Sequence, residues 1–489
     1  MNIKEIAEAV EGRLLTGNED IEVLNISLNS AKMKSEDLFV PVIGERVDAH
    51  KFIVSAFENG AVASFTSEHK TQDELLMDLD IREILTREPG KRAMIYVDDT
   101  VAALQRLGRY YRKKYVSIPL VGVTGSVGKT TTREMIACAL GAGKKTYATR
   151  GNANSQVGLP VTITEITEDA EVGVIELGMS EPGEMTRISN VACVDCAVIT
   201  NIGLSHINQL KTQENILIEK LHILDGMPDG ALLLLNGNDP ILKNVDMELI
   251  HGYGIATDRN FKIEFYGTEE NSIIRAEEIS IVEGYPQFVV SLYDENENIR
   301  QQTPVRLSVM GRHMILNTLA ALAICDHMNV SILDAAIKLQ EFEGVSGRGE
   351  TYRTNGVTII DDSYNAAPQS MKAGLSVLND LPGIGRRIAV LADMLELGEN
   401  EAGYHRSVGE YIAAHAKNID MLLLYGPLSL NIANGLGIKI SRIKVVYFSE
   451  KEKLREYLIK NVQSGDVLFF KGSNSMGLSD IVKELYPKE

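Results

Sequence analysis

Two hydrophobic rhythms alternate along this chain. From residue 118 onward, short apolar runs of strand length are separated by stretches whose apolar residues recur every three or four positions. The runs predict strands at 120–124, 172–177, 196–201 and 231–235. Thr131 to Leu140 predicts a helix, with Met135, Ile136, Ala139 and Leu140 on one side. Strand and helix in alternation favour a mainly parallel sheet covered by helices. Between about 260 and 310 the rhythm changes. Phe288-Val-Val-Ser-Leu-Tyr and Val305-Arg-Leu-Ser-Val alternate polar and apolar, which suggests an antiparallel extension, and a helix follows at Asn317–Asn329. A third unit begins near 348, with strand-like runs starting at Val357, Ile388, Met421, Lys444 and Val467. It reads as a second doubly wound α/β unit. It has no G-x-G-x-x-G after its first strand, so a dinucleotide is not indicated. The first 115 residues mix short strands with helices: a strand from Asp37, a helix from Ile53 to Gly60, and a helix from Thr100 to Tyr115. Glu214 to Leu224 predicts a further helix in the middle unit. The expected fold class is therefore α/β in three domains. These are a small mixed α/β domain at 1–115, a mainly parallel central domain at 116–346, and a Rossmann-like domain at 347–489.

Composition narrows the partners. A chain of 489 residues is too long for one core. Its net charge of −18 disfavours nucleic acid or an anionic membrane across the whole surface, while leaving room for a local basic pocket. The first eleven residues form an acidic amphipathic pattern rather than a signal peptide. No run of 18 apolar residues occurs, so no integral membrane segment is expected. Four cysteines make no disulfide framework and fit a reducing cytoplasm. Cys193 and Cys196 open an apolar stretch and read as structural, since two thiols do not complete a zinc site.

The chemistry concentrates at Leu-Val-Gly-Val-Thr-Gly-Ser-Val-Gly-Lys-Thr-Thr-Thr, residues 120–132. A strand runs into a glycine turn that ends in Gly-Lys-Thr at the mouth of a helix. Gly125 and Gly128 permit a tight turn and close backbone approach to phosphate. The amides of Ser126, Val127 and the helix N-terminus point at negative charge. Lys129 adds a cation, and the Thr130 hydroxyl, next to Thr131, can bind Mg²⁺. The strict P-loop wants glycine at 123, where Val123 stands, so the match is to a shortened G-x-x-G-K-T. Glu176 and His206 fall after later strands on the same carboxyl edge, where ligands of open α/β sheets bind. A carboxylate and an imidazole beside a nucleotide are plausible metal ligands.

Several segments carry a family resemblance, in order along nearly the whole chain. Thr124-Gly-Ser-Val-Gly-Lys-Thr-Thr-Thr, Gly151-Asn-Ala-Asn-Ser-Gln-Val-Gly-Leu-Pro, Glu176-Leu-Gly-Met-Ser and Thr200-Asn-Ile-Gly-Leu-Ser-His resemble the Mur ligases, ATP-dependent amide-forming enzymes of peptidoglycan synthesis. Gly311-Arg-His, Gly347-Arg348, Asp361-Asp-Ser-Tyr-Asn-Ala-Ala-Pro, Asp393-Met-Leu-Glu-Leu-Gly and Lys471-Gly-Ser extend the match. The Asp-Asp-Ser-Tyr-Asn segment is similar to the branch that adds D-alanyl-D-alanine to UDP-N-acetylmuramoyl-tripeptide.

The resemblance implies a UDP-sugar domain at 1–115, an ATP-binding ligase domain at 116–346 and a C-terminal domain that closes over ATP. It implies catalytic roles for Lys129, His206 and Lys220, the last where the family carries a lysine that can be carbamylated. Nucleotide contacts would come from the loop with Asn317, Arg348 and Asp362. Two Mg²⁺ sites would draw on Thr130, Glu176, His206 and Lys220. Substrate contacts would come from Ser30, Asn152, Asn154, Ser180, Asn365, Lys471 and Ser473. The family pattern also implies a cytoplasmic monomer.

Three positions depart from it: Ala31 replaces an arginine, His222 an acidic residue, and Ser479 a glutamate. Other readings are a diamino-acid-adding ligase, a folylpolyglutamate-type ligase and a non-catalytic nucleotide-binding relative. The long stretch before the loop counts against the folylpolyglutamate type. Retention of Lys129, Glu176 and His206 counts against the non-catalytic reading.

Overall fold

Three sheets follow one another along the chain in a computed structural model that describes residues 1–44, 46–381, 385–437 and 442–488. The first has five strands in the order Arg13–Thr16, Ala93–Tyr96, Ala61–Thr66, Asp37–Phe39, Asn25–Ser27. Only the Arg13–Thr16 pairing is antiparallel. Helix Thr100–Tyr115 leaves this sheet and reaches the next. Its Ala103, Leu104 and Leu107 pack in the first core. Further along, its Arg112 donates to the carbonyls of Ala192 and Cys193 and pairs with Asp195 at 2.8 Å.

The middle sheet has nine strands. Lys262–Gly267, Leu232–Asn236, Cys196–Ile199, Leu120–Thr124, Val172–Glu176 and Thr146–Ala148 lie side by side and parallel. Successive residues of Leu120–Thr124 face opposite layers. Val121 and Val123 pack with Met135 and Ile136 of helix Lys129–Leu140 and with Leu319 and Leu322 of helix Met314–His327. Leu120 packs with Ile163, Ile188, Ile216 and Leu221 on the other face. The strand order reverses beside Leu120–Thr124, so the crevice past its carboxyl end is where a ligand fits. Beyond Lys262–Gly267 the sheet continues through Ile274–Val282, Tyr285–Tyr293 and Ile299–Arg306, the last two pairings antiparallel.

The third sheet has six strands, parallel except at the edge Glu350–Thr354. Val357–Asp362 and Val467–Lys471 are neighbours there, in register so that Asp362 faces Lys471.

Several sequence expectations shift. Lys262–Gly267, Ile274–Val282 and Glu350–Thr354 are strands that the apolar pattern did not announce, because most residues of each are exposed or half-buried. The helix expected over 214–224 is Gln213–Leu221, closed by a 3₁₀ turn His222–Gly226. The chain tightens there because Gly226 sits against Ser189, whose carbonyl oxygen would lie 1.9 Å from an added Cβ. The helix expected from Asn317 begins one turn earlier, at Met314. Cys196 is fully buried in its strand and Cys193 ends helix Glu184–Ala192; neither forms a disulfide. Among the described residues no helix is long and apolar enough to cross a membrane.

Candidate active site

The glycine turn is braced from the neighbouring strand end. Asn201 accepts from the amide of Val127 with its side-chain oxygen (3.0 Å) and from the amide of Ser126 with its carbonyl (3.0 Å). Asn201 Nδ2 and Thr200 Oγ1 both donate to the Val127 carbonyl at 2.7 Å. Gly125 has φ +150°, and a Cβ there would stand 1.9 Å from Thr200 Oγ1, so only glycine lets the loop seat on this brace. Gly128 is left-handed (φ +85°) and starts helix Lys129–Leu140. The first amides of that helix have no partner within it and face the crevice with the positive end of the dipole. Ser126 and Val127 have already given their amides to Asn201, so anion binding falls to Gly128 and the helix start.

Lys129 Nζ donates to the carbonyls of Gly125 (2.9 Å) and Ser126 (3.4 Å) and pairs with no carboxylate among the described residues. Burial lowers its affinity for a proton, Glu176 opposes that, and Arg348 adds to it. Glu176, 1% exposed, ends strand Val172–Glu176. It accepts from Asn154 Nδ2 at 2.7 Å and from Arg133 Nη1 at 3.1 Å. His206, in a left-handed conformation, has Nδ1 buried 3.1 Å from Glu396 of the third unit, without hydrogen-bond geometry. Burial first, then Lys129, lowers its proton affinity. Lys220 is 2% exposed and forms no hydrogen bond or ion pair among the described residues. Burial and then Lys129 push its ammonium well below the ordinary lysine range. Lys129, His206 and Lys220 thus act on one another: a basic pocket inside an acidic chain.

The third sheet closes the other side. Arg348 stacks over Tyr364 at 4.1 Å. Lys471, 2% exposed, is ion-paired with Asp362 and donates to the Asn365 carbonyl at 3.0 Å. Burial pushes the Asp362 carboxyl up even against Lys471. One cleft of about 620 Å³ joins the two sides. Of the sequence-selected residues, Ser126 to Lys129, Thr131, Asn152, Asn154, Glu176, Ser180, His206, Asn317, Arg348, Asp362, Asn365 and Lys471 line it. Asn317 Oδ1 accepts from Thr132 at 3.2 Å. Ser180 gives both its amide and its hydroxyl to Glu184.

Five selected residues stand apart from the lining. Gly125 shapes the loop from behind, and Thr130 is buried in the first helical turn. Lys220 is buried in helix Gln213–Leu221 and is not part of the lining. Ser30 begins a 3₁₀ turn in the first unit, away from the cleft. Ser473 accepts from the Leu395 amide at 2.8 Å, which ties two loops of the third unit together. Sequence reasoning also missed two contributors. Arg133 lies just past the quoted phosphate-loop segment and carries no motif of its own; Asn201 lies inside the quoted Thr200-Asn-Ile-Gly-Leu-Ser-His segment, which was the available signal for the brace. His222 is hydrogen-bonded through Nδ1 to Asp225 at 2.8 Å, which raises its pKa, and it does not line the cleft.

Comparison with known proteins agrees in length and order. Three family profiles match successive stretches: the Mur ligase family catalytic domain at 22–112, the Mur ligase middle domain at 123–325, and the Mur ligase glutamate ligase domain at 347–474. A UDP-N-acetylmuramoyl-tripeptide–D-alanyl-D-alanine ligase of Bacillus subtilis (strain 168) is 34% identical over 99% of this chain and 98% of its own. The enzyme of that name from Escherichia coli (strain K12) is 28% identical over 99% and 98%. A crystal structure of MurF from Acinetobacter baumannii superposes with TM-score 0.81 at 25% identity, covering 100% of this chain and 99% of that one. A MurF ligase from Thermotoga maritima in complex with ADP gives TM-score 0.76 at 26% identity, covering 95% and 98%.

Proposed function

The chain belongs to the Mur ligase family, and from that premise we propose that it uses ATP to join D-alanyl-D-alanine to UDP-N-acetylmuramoyl-tripeptide. The observation that carries this reading is a single cleft that gathers the phosphate loop and the Arg348, Asp362 and Lys471 cluster, in a chain similar to such ligases from end to end. The diamino-acid-adding alternative lacks that support, since the relatives reported above carry the D-alanyl-D-alanine name. The work divides as follows: residues 1–115, with Ser30, take the UDP-sugar; 116–346 bind ATP and perform the chemistry; 347–489 close over the nucleotide and present the amine. The setting is the cytoplasm.

A carboxylate resists attack by an amine because its oxide is a poor leaving group. Its oxygen therefore first takes the γ-phosphoryl group of ATP, releasing ADP and forming an acyl phosphate. The D-alanyl-D-alanine amine then attacks the acyl carbon, loses a proton, and phosphate departs. Negative charge on the transferring group is met by Lys129 and by the amides from Gly128 onward. Asn317, Arg348 and Asp362 hold adenosine and phosphate. Asn152, Asn154 and Ser180 line the path of the tripeptide carboxylate, and Asn365 with Lys471 that of the amine. Ser473 acts at one remove, by fixing Leu395.

The donor set fits a hard divalent cation. Glu176 offers a carboxylate, Thr130 a hydroxyl in the first helical turn, and His206 a buried Nδ1 with no hydrogen-bond partner among the described residues. Thr130 and Glu176 would hold one Mg²⁺ and His206 a second, each neutralising charge on the phosphates when bound. Lys220, buried and without a partner among the described residues, has its ammonium disfavoured by burial and by Lys129, which suits it to add CO₂ through its amine, release a proton and become an anionic carbamate toward the second site. Lys220→Ala should lose activity and regain part of it with acetate or bicarbonate; full activity without rescue would remove the carbamate.

The test of the function is an assay of ADP release and amide product with substrates omitted in turn. ADP release should need UDP-tripeptide, and amide should need D-alanyl-D-alanine as well. Faster ligation of meso-diaminopimelate or lysine onto a UDP-dipeptide would overturn the assignment.

A further inference from the structure

Arg133 is among the largest side chains with almost no solvent exposure, yet none of the steps above uses it. It lies on helix Lys129–Leu140, one turn beyond Lys129. Its Nη1 donates to Glu176 Oε2 (3.1 Å) and to the Gly151 carbonyl (3.1 Å), and its Nη2 to Glu134. Its Nε is buried with no hydrogen-bond partner among the described residues. A guanidinium that leaves one buried donor unsatisfied is placed by its remaining contacts, and those contacts fix Glu176 from the side of the phosphate-loop helix.

Glu176 is also the carboxylate whose charge acts on Lys129. Opposite charges on Lys129, at a helix start, and Glu176, at the neighbouring strand end, attract across the crevice. Lys129 nonetheless rests on the carbonyls of Gly125 and Ser126 and forms no ion pair with Glu176. The remaining partners of Glu176, Asn154 Nδ2 and the Thr149 hydroxyl that accepts its backbone amide, are neutral. Arg133 is thus the cation that neutralises Glu176.

Building on the nucleotide site proposed above, we infer that Arg133 is a positioning residue whose ion pair with Glu176 keeps that carboxylate from capturing Lys129, so that Lys129 stays available for nucleotide phosphate. It touches neither substrate nor phosphate and acts through the other two side chains. The same contact to the Gly151 carbonyl ties the loop bearing Asn152 and Asn154 to the phosphate-loop helix.

The inference separates from a purely structural role through a second substitution. ADP binding is measured by calorimetry in EDTA, so that no metal enters the comparison, on the full chain and its Arg133→Met, Arg133→Lys, Glu176→Gln and Arg133→Met/Glu176→Gln variants. Arg133→Met should weaken metal-free ADP binding about tenfold, because Glu176 is left to pair with Lys129. Arg133→Lys, which keeps the charge, should retain most of the affinity. Glu176→Gln added to Arg133→Met should restore binding, since a neutral amide cannot capture Lys129; damaged packing would not be repaired this way. Should Arg133→Met alone fail to fold, the double variant compared with Glu176→Gln decides: equal affinities support the inference, and a tenfold loss overturns it. Wild-type-like binding by Arg133→Met, or a loss that persists in the double variant, also overturns it. Wild-type protein that binds no ADP would overturn the nucleotide site itself, and this inference with it.

Discussion

Lys129 and Lys471 both stand at the carboxyl edge of a parallel sheet and both face the same cleft, but they are anchored differently. Lys471 is paired with Asp362 and bonded to the Asn365 carbonyl. Lys129 has only two carbonyls of its own loop. A buried cation with a carboxylate partner belongs to the fold, because removing either partner strands a charge. A half-buried cation held by carbonyls alone is left to pair with a ligand. The middle sheet therefore leaves its cation open to a ligand, and the third sheet locks its cation into the wall of the cleft.

The contrast gives the largest effect at Lys129. Lys129→Ala should lower kcat by about 10²–10³, the cost typical of removing one such electrostatic donor, and leave the melting temperature nearly unchanged. A mutant that melts early but turns over normally would contradict the role given to Lys129. Lys471→Met should show a different signature, a lowered melting temperature together with lost activity, because the pair it breaks also lines the cleft. Asp362 keeps 19% of its side-chain exposure, so the loss of stability should reach about 3 kcal/mol, the lower end for a broken buried pair. Adding Asp362→Asn should recover part of it in denaturant melts. An unchanged melt in Lys471→Met would show that the pair contributes nothing to the wall.

The smallest effect belongs to the half-buried His222–Asp225 pair, a cation that pH can switch off. The Asp225 hydrogen bond raises the pKa of His222 in the folded state. The folded protein then binds the proton more tightly than the unfolded chain does. The pair's contribution is fully present below the unfolded histidine value of about 6.5 and is lost as pH rises through the higher folded value. His222→Gln should therefore cost at most about 1 kcal/mol below that pH and almost nothing at pH 9. A deficit that grows with pH would contradict the sign.

The contrast also explains what could be read from the sequence. Strands Leu120–Thr124 and Val172–Glu176 are buried on both faces, so their apolar runs were visible, and the glycine turn between strand and helix was legible from spacing. Ile274–Val282 exposes every second residue along much of its length and carries Arg275, Glu277 and Glu278, which hid it. The residues that set the electrostatics were hidden for another reason. Arg133 meets Glu176 across 43 positions, and Lys471 meets Asp362 across 109. Such pairs are made by strand order, which local pattern does not report. Ser30 and Ser473 were selected from resemblance alone, and neither lines the cleft.

The account rests on phosphoryl transfer from ATP to the tripeptide carboxylate beside Lys129. Isotope transfer tests it most directly. UDP-N-acetylmuramoyl-tripeptide labelled with ¹⁸O in its terminal carboxylate is turned over with ATP and D-alanyl-D-alanine, and the released phosphate is analysed by mass. The account requires one carboxylate oxygen to leave with each phosphate. Phosphate free of label, alongside normal amide formation, would contradict it.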